Sequence, residues 1–93
     1  MEIIRSKKYT KSLQDIMKFI SLDSKKRALV FRGEIDKQID NLVYMPYKCR
    51  KSIYFEDENI RDLIFKGYTI VYKIDEKKET ITIIGIKKYK SSL

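Results

Sequence analysis

Lys48, Arg50 and Lys51 stand close together, Arg61 follows ten residues after Lys51, and Lys87, Lys88, Tyr89 and Lys90 form a basic, aromatic tail. Arginine forks and lysine ammonium groups hold phosphate, and a tyrosine ring stacks on a base. Brought together at one end of a sheet, these groups would make a positive pocket. Such a pocket can promote attack of a ribose 2′-hydroxyl without histidine, the cations stabilising the phosphorane and a lysine or tyrosine giving a proton to the leaving group. The same charges also describe a solubilising chain end. Residue types alone leave both readings open.

Other chemistry is thinly represented. The chain has no histidine, which removes the commonest general base, the usual serine triad and most transition-metal sites. Cys49 is the one cysteine, so no internal disulfide or cysteine-rich zinc site is expected. Lys48, Arg50 and Lys51 would favour its thiolate, yet it has no histidine partner and is expected to be a small, half-buried residue. Gly33, Gly67 and Gly85 make no phosphate-cradling loop. The run Glu56, Asp57, Glu58 is expected as a solvated loop, since cation cages draw oxygens from dispersed or alternating positions. No metal and no cofactor are expected.

Ninety-three residues suit one domain spanning 1–93, and 43% apolar residues supply a core. No apolar run is long enough to span a membrane, and the N-terminal "MEIIRSKKYTKS" lacks the apolar stretch of a signal peptide. A cytoplasmic protein without membrane contact is expected. The net charge of +8 divides evenly, about +4 for residues 1–45 and +4 for 46–93. A field of that sign favours anionic partners: nucleic acid, an acidic protein surface or an acidic peptide.

The elements that must position the basic groups follow from periodicity. "EIIR" predicts a short strand and Ser6 a helix cap. Tyr9, Leu13, Ile16, Met17 and Ile20 then mark one face of a helix over about residues 7–21. Asp23 or Ser24 starts a second helix, whose stripe is Ala28, Phe31, Ile35, Ile39 and Leu42 and which ends before Pro46. Residues 47–59 predict a connecting loop with room for one turn of helix. "IRDLIF", "YTIVYKI" and "TITIIGI" predict three strands, Gly67 making the first turn and "DEKKE" the second. The expected class is α+β in the order β-α-α-β-β-β, an antiparallel sheet with the N-terminal helical hairpin packed on one face. Tyr68, Ile70, Tyr72 and Ile74 share one side of their strand, and the opposite sheet face is left partly open to a partner.

The whole chain resembles the RelE/ParE superfamily, the toxins of bacterial type II toxin-antitoxin modules. The resemblance is carried by the element order and above all by "IRDLIFKGYTIVYKID", similar to the family pattern I-R-x-L followed by G-Y-x-I-x-Y-x-I. It implies a growth inhibitor silenced by a cognate antitoxin, acting either on DNA gyrase, as ParE-like members do, or on messenger RNA in the ribosome, as RelE-like members do. The nuclease branch carries two lysines on the strand before the G-Y pair and an arginine straight after it. Here those places fall near Ile60 and Asp62 and at Thr69. The histidine-dependent nuclease variant is excluded by composition, although "KKYK" also departs from the histidine that ParE members often carry there. ParE-like inhibition of gyrase is the first expectation, with Arg50, Lys51, Arg61, Lys87 and Lys88 binding the target. A ribosome-dependent endoribonuclease is the second, with Lys87, Lys88, Tyr89 or Lys90 as acid and Arg50 or Arg61 on phosphate. A non-toxic member, present as the partner of its antitoxin, is the third.

Overall fold

The computed structural model describes residues 1–88, so Tyr89 and Lys90 lie outside the described residues. The chain runs β1 (Glu2–Arg5), α1 (Lys7–Ser21), α2 (Lys25–Asp40), a 3-10 turn (Asn41–Val43), β2 (Arg50–Lys51), β3 (Ile60–Phe65), β4 (Tyr68–Asp75) and β5 (Thr80–Lys88). Both helices start where the sequence places a cap. The Ser6 hydroxyl accepts from Tyr9 N at 3.1 Å, and that of Ser24 accepts from Arg27 N at 3.1 Å.

The five strands form one sheet in the order β1-β5-β4-β3-β2. The β3-β4-β5 meander is antiparallel as expected, but β1 joins β5 in parallel, so the sheet is mixed rather than antiparallel throughout. A strand that leads straight into a helical hairpin has no tight turn back, and the free edge of β5 accepts it in the parallel sense. The segment expected as a loop also contributes a strand: Arg50 and Lys51 pair with Asp62 and Arg61 and cover part of the β3 edge. Lys66 and Gly67 form a two-residue turn with φ of 46° and 82°, the all-positive geometry that suits a hairpin's twist.

The helical stripes and the expected side of β4 meet in the core. Tyr9, Leu13, Phe31, Ile35, Ile39 and Leu42 pack on Leu63, Ile70, Tyr72, Ile74, Ile81, Ile83 and Ile86. In β5 the register shifts between Val71, opposite Gly85, and Tyr72, opposite Ile83, which leaves Ile84 as an extra residue. That bulge lets Ile81, Ile83 and Ile86 all face the helices although the last breaks the alternation. Ser6 fixes the spot, since its Oγ donates to the Ile84 carbonyl at 2.9 Å while it caps α1. Among the described residues no helix is long and apolar enough to cross a membrane.

Candidate functional site

On the sheet face away from the helices, Arg50, Asp62, Val71 and Gly85 lie in register across four strands. Asp62 lies in this row between Arg50 and Val71. Its side chain is fully buried, and its Oδ2 accepts from Arg50 Nη2 at 3.3 Å and from Ile53 N at 3.2 Å. One carboxylate therefore ties β2 and the following loop to β3. Ser52 Oγ accepts from Tyr54 N at 3.2 Å and shapes the next turn. The loop then lays the Tyr54 ring against the sheet, with Lys87 Nζ 3.3 Å from its centroid. Lys8, Tyr54, Phe55, Val71, Gly85 and Lys87 border a cleft of about 170 Å³ there.

Arg61 belongs to the other face, opposite Tyr72. Its Nε donates to Glu58 O at 2.9 Å, and its Nη1 donates to Cys49 O at 3.1 Å and Tyr47 O at 3.3 Å. The guanidinium also lies 5.0 Å from the Tyr47 ring centroid. Arg61 thus staples the 47–58 segment to β3. Lys51 Nζ pairs with Glu58 Oε1 at 3.0 Å, an exposed pair worth little in water. Lys88 sits opposite Tyr68 and lines a groove of about 370 Å³ with Asp15, Ile16 and Phe19 of α1.

The structure brings Arg50 and Lys87 to one face and sets Arg61 on the other. Thr69 is fully buried, its Oγ1 without a hydrogen-bond partner, as is Asp62 Oδ1. Tyr54, Phe55 and Lys8 border the cleft but were not singled out from sequence. Two adjacent aromatics in the otherwise polar "SIYFEDEN" were the available signal. The tyrosine hydroxyls of the core are held neutral. Burial first, and Cys49 second, push the Tyr72 phenol well above its usual range, and its OH donates to Pro46 O at 2.6 Å. Burial first, and Asp36 second, raise Tyr9 to about 12. Among the described residues no group of three or more acidic or cysteine side chains is placed to hold a metal ion. The face can stack on a ring and meet an anion with Lys87 and Lys8. Among the described residues it does not gather several unpaired cations about one point, the arrangement that would stabilise the charge of a phosphorane.

A helical hairpin packed on a five-stranded mixed sheet is the architecture of known toxin structures. The chain overlays with a TM-score of 0.77 on a chain of the chromosomal ParDE TA system from P. aeruginosa, at 17% identity over 97% of both chains. It also overlays on the isolated RelE toxin of E. coli with a TM-score of 0.68, at 14% identity over 98% of this chain and 86% of that one. No curated protein matches its sequence. Residues 3–91 match the ParE toxin of the type II toxin-antitoxin system parDE, and the chain belongs to that family.

Proposed function

We propose that this toxin inhibits growth by binding DNA gyrase, and that a cognate antitoxin neutralises it. The observation that carries the reading is Asp62. A buried carboxylate, paired with Arg50 and spent on holding a loop, stands on β3 at a position where the resemblance to the nuclease branch calls for positive charge. Ile60 and Thr69, at the other places where a cation is wanted, are buried and neutral. Binding, in contrast, needs only an exposed surface of suitable charge and shape. Family membership supports the toxin class and a neutralising antitoxin partner.

The test is a supercoiling assay with purified gyrase. Stoichiometric protein should inhibit supercoiling or trap cleaved DNA, and pre-mixing with the antitoxin should restore activity. Untouched gyrase activity removes the reading. One observation favours the messenger RNA alternative: the Lys87 and Tyr54 pair beside a cleft that also holds Lys8. If RNA is the target, induced expression produces cleaved transcripts, and Lys87→Ala with Tyr54→Ala suppresses them. Full growth on induced expression without antitoxin would instead mark a non-toxic member.

A further inference from the structure

A glycine inside a strand weakens it, and one that the backbone does not require marks a place where another group approaches closely. Gly85 in β5 is such a glycine. Its φ is not positive, and a Cβ built there meets nothing within 4 Å, so neither turn geometry nor close packing among the described residues calls for it. The neighbouring bulge does not call for it either, since the bulge type that demands glycine needs a positive φ. What the missing side chain leaves is space. Gly85 and Val71 floor the cleft of about 170 Å³ on the outer sheet face, and the exposed Tyr54 and Phe55 wall it. Lys8 and Lys87 stand at its border and no lining residue is acidic. Among the described residues neither lysine makes an ion pair.

We infer that this cleft receives a single phenylalanine-type ring, flanked by carboxylates, from the surface of the protein that the toxin binds. A protein cavity of about 150 Å³ takes up benzene, so the volume here suits one ring. Its floor and walls are apolar and aromatic, the surroundings in which the anchoring side chains of interfaces sit. A nucleobase fits them worse. It would press a polar edge against Val71 and Ile84, whose side chains offer no hydrogen bond, and the Lys87 ammonium already lies on a face of Tyr54 at 3.3 Å from the centroid. A phenylalanine ring carries no such edge. The two lysines then select its neighbours. Unpaired ammonium groups beside an apolar cleft attract acidic residues next to the ring and repel a second copy of this chain, which carries +8. The inference rests on the reading that the toxin acts by binding gyrase, and adds the chemistry of the segment it grips.

The test uses the full chain, labelled with 15N, and three short peptides. One is acidic and centred on phenylalanine, one is the same with alanine at the centre, and one is centred on phenylalanine with lysine flanks. The first should bind, move the amide signals of Tyr54, Phe55 and Gly85, and lose affinity as salt rises. Each of the other two should bind about tenfold more weakly or worse. Gly85→Val fills the cleft with a residue that favours strands, so it should weaken the acidic peptide by about tenfold or more while the thermal midpoint holds or rises. Lys8→Glu lies at an exposed site in the first turn of α1, where an acid suits the helix dipole, and should weaken the same peptide without cost to the fold. In the supercoiling assay Gly85→Val should inhibit gyrase less than the parent protein by a similar factor. Equal binding of the three peptides, no binding, or signal changes confined to the helical side overturns the inference. So does peptide binding or gyrase inhibition undiminished in both Gly85→Val and Lys8→Glu, tighter binding of a single-stranded RNA oligonucleotide at the same signals, or sedimentation of the free protein as a dimer that Gly85→Val dissociates. A parent protein that binds the acidic peptide at the cleft but leaves gyrase untouched removes the proposed target and keeps the cleft chemistry, so the two failures are separately visible.

Discussion

Two core tyrosines with the same ring and similar burial differ in what their hydroxyls do. Tyr72 OH donates to Pro46 O, whereas Tyr9 OH has no hydrogen-bond partner. Tyr72→Phe should therefore destabilise the fold by about 1–2 kcal/mol, leaving a carbonyl short of a donor, while Tyr9→Phe should be neutral or stabilising at pH 7. Urea unfolding of the two variants checks the contrast. The alkaline limb gives a second readout. The Tyr9 phenol ionises at about 12 in the folded chain against an ordinary value of 10.0, so its contribution is intact below pH 10 and is lost as pH rises through about 12. Tyr9→Phe should flatten that fall in stability relative to the parent protein. Asp62 bears on the other sheet face. Asp62→Ala removes the acceptor of Ile53 N and the partner of Arg50 and should cost about 1–3 kcal/mol; Asp62→Asn, which keeps a carbonyl acceptor, should cost less. Equal losses would mean that the charge on Arg50, rather than the loop amide, sets the cost. From sequence, Asp62 could be seen as a missing cation but not as a buried pin. Its burial depends on a loop folding back over the sheet, and no local periodicity announces that.

At the scale of elements, the turn between β3 and β4 places two consecutive residues, Lys66 and Gly67, at positive φ. Gly67 stands at φ 82°, and a Cβ there would meet nothing within 4 Å, so the whole penalty of substitution is conformational. Gly67→Ala should lower stability by roughly 1–2 kcal/mol without altering the packing. A thermal melt measures it, and an unchanged midpoint would mean that the turn relaxes to another type. The helices and the meander were legible in the sequence because each carries its own period, 3.6 or 2, and its own boundary signal: the N-caps Ser6 and Ser24 and the turn residue Gly67. Strand partners carry no such signal. Nothing in "EIIR" distinguishes parallel from antiparallel pairing, and "RK" becomes a strand only because the β3 edge offers it hydrogen bonds. The site inherits that limit: Arg50 and Lys87 share a face through the pairing of β2 with β3 and β4 with β5, neighbours that alternation within one strand does not name.

For the molecule as a whole, the net charge of +8 acts on stability and on association in opposite directions. Self-repulsion of like charges destabilises the compact chain, and added salt relieves it. The ion pairs that salt also weakens include Lys51 with Glu58 and Lys66 with Glu34, whose side chains are largely exposed and contribute little each. The urea midpoint should therefore rise as NaCl is increased toward 0.15 M, where the screening length has shortened to about 8 Å. The same field speeds the approach of an acidic partner, and that gain is lost to screening. Stopped-flow association with the cognate antitoxin should slow over the same range of salt while the dissociation rate changes less, since short-range apolar contact is not screened. A rate of association indifferent to salt would place recognition in apolar contact alone and leave the charge a matter of solubility.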